Sequence, residues 1–154
     1  MNKHAIQDEM KVTGLVKVIQ TNSFGKVIRE FQVPNLVVTT GKNYIASKMT
    51  ATTNSPASMT HMAIGTGTTA AAITDTALQT QTGRVTLSGS AVANNTITYT
   101  ATFPAGTGDG AITEAGIFNG ATSPGSVMLC RTTFPVVNKG AGDTIAITWV
   151  ITVS

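Results

Sequence analysis

The sequence is poor in the residues that carry most protein chemistry. It has one cysteine, two histidines and 11% charged residues, whereas an ordinary soluble domain has about 25% charged residues. The lone cysteine, Cys130, excludes an intrachain disulfide, and we expect it to be a small buried side chain in a protein made in a reducing compartment. His4, His61 and Cys130 lack the spacing of a zinc site, so the sequence predicts no metal and no cofactor.

Long apolar runs are also missing. The N-terminal region lacks the roughly 7 to 15 consecutive apolar residues of a signal peptide, and no segment approaches the ~20 apolar residues of a membrane span. We therefore expect synthesis in the cytoplasm without export by the usual signal route, and we expect no membrane partner.

The chain also has no basic cluster. Ten Lys and Arg residues give a net charge of +3, but they are spread from Lys3 to Lys139. Nucleic-acid-binding proteins usually group basic residues on one face and add aromatic stacking platforms. Aromatic residues make up only 5% of this chain, so we expect no nucleic-acid partner.

Threonine is abundant, and it alternates with apolar residues. The chain has 28 threonines, and the alternation is clearest in residues 144–154. Successive side chains of a strand point to opposite faces, so this segment predicts a strand buried on one side. Its polar side is a candidate flat surface for a neighbouring subunit. The apolar side holds Ile145, Ile147, Trp149, Ile151 and Val153, and the polar side Thr144, Thr148, Thr152 and Ser154.

The same alternation recurs along most of the chain. Because Ile45 and Met49 stand four residues apart after Gly41, we also predict one short helix there. We predict an all-β fold, an antiparallel two-sheet β-sandwich that is jelly-roll-like, although an immunoglobulin-like topology stays open. Residues 1–10 would form a flexible N-terminal arm and residues 11–154 a single β-sandwich domain. Strands are predicted at residues 11–20, 26–33, 60–66, 84–93, 96–103, 112–118, 127–134 and 144–154.

The candidate catalytic groups are few. Glycosidases need two carboxylates about 5 to 9.5 Å apart, and the C-terminal half offers Asp109, Glu114 and Asp143. The two aspartates lie in Gly-rich turns, where Asp commonly bonds the local backbone, and Glu114 lies in a strand where Arg131 or Arg84 could pair with it. We therefore predict no catalytic residue and no enzyme activity.

Three other features have simpler structural interpretations. Residues 65–69, Gly-Thr-Gly-Thr-Thr, lack the lysine of a phosphate-binding loop and are typical of a turn after a strand. His61 alternates with Met62 and is interpreted as a surface or hydrogen-bonded strand residue. Met49, Met59 and Met62 are expected in the core.

Two groups of short motifs stand out in the sequence. The first group is Met62-Ala63-Ile64-Gly65-Thr66-Gly67, Thr76-Ala77-Leu78 and Arg84; the second is Glu114-Ala115-Gly116-Ile117-Phe118-Asn119, Met128-Leu129-Cys130-Arg131-Thr132-Thr133-Phe134 and Gly142-Asp143-Thr144. Together they resemble small structural proteins of tailed bacteriophages over residues 63–154. Members include capsid-decorating cement proteins and tail or fibre proteins, and the resemblance brings no catalytic residues. Gln79 and Gln81 stand where that pattern usually has an acidic residue.

The resemblance and the low charge together predict a capsid decoration protein on the virion surface. Such a protein would bind and stabilise the lattice of the major capsid protein, and we expect a homo-oligomer such as a trimer. A tail or fibre-base protein, with tail proteins as partners, is the first alternative. A host-surface carbohydrate-binding module is the second, although Trp149 alternates in phase with core residues and sugar sites generally use exposed aromatics.

Overall fold

Ten strands and one helix form the described part of the chain, residues 9–50, 53 and 55–154 of a computed structural model. The predicted arm therefore lies outside the described residues except for Glu9 and Met10. The elements are β1 (Val12–Thr21), β2 (Val27–Pro34), β3 (Leu36–Val37), α1 (Thr39–Lys48), β4 (His61–Gly65), β5 (Gln81–Thr86), β6 (Gly89–Ala93), β7 (Thr96–Phe103), β8 (Gly110–Phe118), β9 (Met128–Lys139) and β10 (Thr144–Val153).

The strands form two antiparallel five-stranded sheets. The first sheet has the order β2-β1-β10-β7-β6, and the second has the order β3-β9-β8-β4-β5. The inner faces of the two sheets share one hydrophobic core. The predicted all-β sandwich with two antiparallel sheets and one short helix is confirmed.

The closing strand β10 lies at the centre of the first sheet. It pairs with β1 along its whole length and with β7 on its other side. Ile145, Ile147, Trp149 and Ile151 are each at most 2% exposed, so the predicted apolar side, including the core position of Trp149, is confirmed. Close packing of these large side chains against the second sheet fixes the register, because a one-residue slip would turn them to solvent.

Two pairs of the predicted strands that follow each other in the chain form hairpins. Strands β1 and β2 pair in antiparallel register, with an irregularity between Gln20 and Thr21. Strands β6 and β7 pair across the two-residue turn Asn94-Asn95. Asn94 has a φ of 52°, a left-handed conformation that Asn adopts more readily than most residues with a side chain.

The single strand predicted for residues 84–93 is wrong, because this segment changes sheets. Its first part belongs to β5 and pairs with β4, whereas its second part is β6 and pairs with β7. At the crossing, Ser88 donates to the Thr100 carbonyl while Gly89 also opposes Thr100. Two residues, Ser88 and Gly89, thus oppose the single residue Thr100, and this bulge reverses the face to which the following side chains point. Ala91 consequently lies on the outside of the sandwich, level with Thr98.

The predicted short helix is α1, which has ten residues and packs on β9 of the second sheet. Its contact with the sheet is made at Gly41, where a side chain would collide with the Leu129 carbonyl oxygen. Met49 follows the helix and is 77% exposed, so its predicted core position is wrong, whereas Met59 and Met62 are buried as predicted. Within the described residues, no helix is long and apolar enough to cross a membrane.

Candidate functional site

A buried ion pair lies on the outer face of the second sheet, the face that points away from the core shared by the two sheets. Glu114 on β8 and Arg131 on β9 are both fully buried. Arg131 donates from Nη2 to Glu114 Oε2 at 2.9 Å and from Nε to the same oxygen at 3.0 Å. Of the two partners considered for Glu114, the structure therefore selects Arg131.

Glu114 also binds the backbone of the segment that joins β4 to β5, residues 66–80, which we call the covering loop. Its Oε1 accepts hydrogen bonds from the Gly67 and Thr80 amides, and Oε2 accepts one from the Gln79 amide. Gly67 is required by this close approach, because a Cβ there would lie 2.6 Å from Oε1. The carboxylate thus holds both ends of the covering loop against the sheet.

Arg131 holds the middle of the same loop. It donates to the carbonyl oxygens of Thr69 and Ala70 and to Asp75 Oδ2, the last at 2.8 Å. Together with the two bonds to Glu114, these contacts use all five N–H groups of the guanidinium. Asp75 in turn accepts from the Ala72 amide, so the loop closes on itself around the buried cation.

The covering loop adds a small hydrophobic cluster above the sheet. Leu78 from the loop packs with Ala63, Phe118, Met128 and Val38. The apolar cluster and the saturated ion pair together shield the outer face of the second sheet from water. An acid or base needs access to a substrate proton, and Glu114 has none, so its role here is structural.

The other candidate carboxylates also have structural partners. Asp143 accepts from the Gly140 amide and from Gln20 Nε2, and these hydrogen bonds lower its pKa, the one from Gly140 most. Its predicted bond to the local backbone is confirmed. Asp109 instead pairs with the buried Lys139 at 2.6 Å.

A second cation fixes the loop between β8 and β9. Arg84 lies over the Phe118 ring, with 3.8 Å between its Cζ and the ring centroid. It donates to the Gly120 carbonyl and to Ser126 Oγ in that loop, and to Gln81 Oε1 on its own strand. Gln81 therefore bonds Arg84 as a neutral acceptor.

The described reactive side chains, Cys130 and His61, do not come together in a site. Cys130 is fully buried, as predicted, and burial raises the pKa of its thiol. His61 lies beside the hydroxyls of Thr60 and Thr86, and burial together with the nearby Arg84 charge lowers its pKa. In the part of the chain that the structure describes, no three His, Cys, Asp or Glu side chains are grouped to hold a metal ion.

The outer face of the first sheet, unlike that of the second, is not covered by a described helix or strand, and we call it the threonine face. None of its side chains is buried, and no described helix or strand packs on it. Its one ion pair joins Lys17 and Glu30 at 2.7 Å. Ala146 and Val150 interrupt the threonines predicted for this side of β10. The face consists of Thr13, Leu15, Lys17, Ile19, Glu30, Gln32, Ala91, Thr96, Thr98, Thr100, Thr102, Ala146, Thr148, Val150 and Thr152.

The quoted motif residues meet around the covering loop, although they are far apart in the sequence. Gly67, Leu78 and Arg84 come from the first group of motifs, and Glu114 and Arg131 from the second. A search of family models, of characterised proteins and of solved structures finds no match to this chain. The resemblance to phage virion proteins therefore stays a prediction.

Proposed function

We propose that this chain is a virion structural protein of a tailed bacteriophage, a capsid decoration protein that binds and stabilises the major capsid protein lattice. The observation that carries the proposal is the uncovered threonine face beside a second sheet whose outer face is largely covered by its own loop and helix. The motif resemblance supports the phage context. The proposed location is the outer surface of the capsid, and no cofactor is needed.

The threonine face has the physical properties of a docking surface. Each threonine hydroxyl offers one donor and two acceptors, and the branched side chain has little rotamer freedom to lose on binding. The strands beneath are fixed by a buried core, so ordering the backbone adds little cost. With only Lys17 and Glu30 as charges, binding should depend weakly on salt.

The size of the face favours repeated binding over one strong contact. The face has fifteen outward residues. At about 4.8 Å between strands and about 6.7 Å between outward residues along a strand, they present roughly 500 Å². This is below the ~800 Å² per partner of a standard interface. A homo-oligomer that presents several copies to a repeating lattice would gain affinity through avidity. The lattice fits this requirement because its subunits recur at fixed spacing.

The direct functional test is the thermal stability of the particle. A protein that binds only the assembled lattice stabilises it by mass action. Virions stripped of this protein should release DNA at a lower temperature than intact virions, and adding the purified protein back should restore the release temperature. Equal release temperatures for stripped and intact virions would contradict the proposal.

A pair of threonine variants tests the proposed face. Thr98→Arg places a long cation in the middle of the face, whereas Thr86→Arg places the same side chain on an exposed position of the second sheet. We expect Thr98→Arg to lower binding to stripped capsids at least tenfold and Thr86→Arg to bind like the parent protein. Equal binding by the two variants would exclude the threonine face as the contact.

The tail or fibre-base alternative is separated by copy number. Densitometry of purified virions should give hundreds of copies for a decoration protein and at most a few dozen for a tail component. The carbohydrate-binding alternative has less support, because Trp149, the single tryptophan, is fully buried.

A further inference from the structure

The turn between β1 and β2 presents one aromatic side chain to solvent. Phe24 is 93% exposed, although the backbone around it is well fixed. Asn22 Oδ1 accepts from the amides of Phe24 and Lys26, both at 3.0 Å, and the Asn22 carbonyl accepts from Gly25. We call residues 22–26 the aromatic tip.

An exposed aromatic ring on a rigid turn is typical of a binding anchor. Burying such a ring gains hydrophobic free energy, and a preorganised backbone reduces the entropy lost on binding. Phe24 contributes nothing to the core of its own chain. The neighbouring Val27 and Ile28 are also about half exposed, so the apolar surface continues from the tip onto β2.

A groove of about 420 Å³ lies at the other end of β1, between the residues that enter this strand and helix α1. Its apolar lining comes from Met10, Val12, Ile45, Ala46 and Met49, and we call it the helix groove. Methionine adapts its shape to a partner and makes favourable contacts with aromatic rings. This lining suits an aromatic side chain, and the groove is large enough to take one.

We propose that the aromatic tip of one copy inserts Phe24 into the helix groove of a second copy. The tip and the groove are separated by the ten residues of β1, a distance of roughly 30 Å at strand spacing. A copy therefore cannot fill its own groove with its own tip. The contact is head to tail, so assembly either closes into a ring or continues as a chain.

A second copy is the occupant that the structure favours, because this one chain carries both the exposed ring and an apolar groove that the described residues leave open. The rim of the groove has mixed charge, from Glu9, Lys11 and Lys42, so recognition depends on the apolar fit. The inference concerns self-association in solution, and it stands whether or not the protein binds a capsid.

Engineered cysteines test the arrangement directly. Lys26 lies at the tip and Lys42 at the groove, and both are exposed. The double variant Lys26→Cys/Lys42→Cys should form disulfide-linked oligomers on mild oxidation, whereas either single variant should stay uncrosslinked because position 26 meets position 42. The native Cys130 is fully buried and does not interfere. Absence of crosslinked oligomers in the double variant would overturn the proposal.

Sedimentation of uncrosslinked variants gives an independent test. The parent protein should be oligomeric at micromolar concentration, and Phe24→Ser or Ala46→Arg should each be monomeric. Ile73→Ser, which removes another exposed apolar side chain, is the matched control and should assemble like the parent. A monomeric parent, or a Phe24→Ser variant that still assembles, would overturn the proposal. Loss of capsid binding by Phe24→Ser with unchanged self-assembly would do so too, because Phe24 would then dock on the lattice.

Discussion

At the scale of single residues, Glu114 joins parts of the chain that are far apart in sequence. Its two oxygens accept five N–H bonds, three from the covering loop and two from Arg131. A buried charge is costly unless its partners are complete. Here they are complete, so the pair is tolerated and fixes the loop in one arrangement.

Replacing Glu114 by Gln should therefore be strongly destabilising. The amide has nearly the same shape, but its NH₂ group would face backbone N–H donors or the guanidinium, and Arg131 would lose its fully buried counter-ion. Breaking one partner of a buried pair typically costs about 3–5 kcal/mol. Urea unfolding should show a loss of this size in the free energy of unfolding.

The matched control for this variant is Glu30→Gln. Glu30 pairs with Lys17 at 2.7 Å, but both side chains are more than a third exposed. Exposed pairs contribute about 1 kcal/mol or less, so this variant should stay close to the parent protein. If Glu114→Gln were as stable as Glu30→Gln, the structural role given to Glu114 would be wrong.

Tyr99 makes stability depend on alkaline pH. Burial, with smaller contributions from Tyr44 and Cys130, raises the pKa of Tyr99 from 10.0 to about 12. Between these values the unfolded chain loses the phenol proton while the folded chain keeps it. The free energy of unfolding should therefore fall as pH rises from 10 to 12, by up to ~1.4 kcal/mol per pH unit from this group.

The Tyr99→Phe variant isolates this contribution, because it keeps the ring and removes the proton. Urea unfolding at several pH values from 9 to 11.5 should show a shallower decline for the variant than for the parent protein above pH 10. Near pH 9, below both pKa values of Tyr99, the free energy of unfolding should change with pH equally in the two proteins. Equal slopes above pH 10 would show that Tyr99 ionises normally in the folded protein.

The sequence indicated part of the Glu114 site. The sequence places Glu114 in a strand with Arg131 or Arg84 as its candidate partner, and the structure has the Arg131 pair. The amide donors at Gly67, Gln79 and Thr80 could not be predicted, because they come from a loop at least 34 residues away along the chain. Strand periodicity contains no information about how such a loop folds back.

At the scale of elements, the covering loop behaves as part of the second sheet although it contains no strand. Its amides at Gly67, Gln79 and Thr80 bond a buried carboxylate. Hydrogen exchange should therefore be slow at these three amides, close to the rates in β8. In Glu114→Gln they should exchange much faster while Ile117 in β8 stays protected. Fast exchange of these amides in the parent protein would contradict the anchored loop.

The contact between helix α1 and β9 leaves no room for a methyl group. In Gly41→Ala the new Cβ would collide with the Leu129 carbonyl oxygen, so the helix must move, at a cost of about 1–3 kcal/mol. Gly140→Ala is the matched control, since its Cβ would come no nearer than 3.4 Å to another residue. Thermal unfolding should separate the two variants, and equal midpoints would show that the helix adjusts freely.

Residues 84–93 show where prediction of the strands was limited. Alternation reports which side of a strand faces a core, but both sheets of a sandwich face the same core. A strand that leaves one sheet for the other therefore gives nearly the same pattern as a continuous strand. The bulge at Ser88 and Gly89 is defined by its hydrogen bonds, and the residue types at these positions do not predict it. The periodicity of apolar residues does not predict the order of the strands within each sheet either.

At the scale of the whole molecule, the two sheets differ in how their outer faces are covered. The second sheet is covered by its own loop and helix, through the Glu114–Arg131 pair and the Leu78 cluster. The first sheet leaves its threonine face uncovered, and the aromatic tip projects beyond it. A protein with a paired buried charge network and two candidate contact surfaces is suited to assembly. We infer that the first surface binds a lattice and the second binds another copy.

Imaging of intact virions by electron cryomicroscopy tests this account most directly. We predict density for the sandwich at regular positions over the capsid shell, with the threonine face against the major capsid protein. A shell without this density, or density for the chain confined to the tail, would contradict the proposed capsid role.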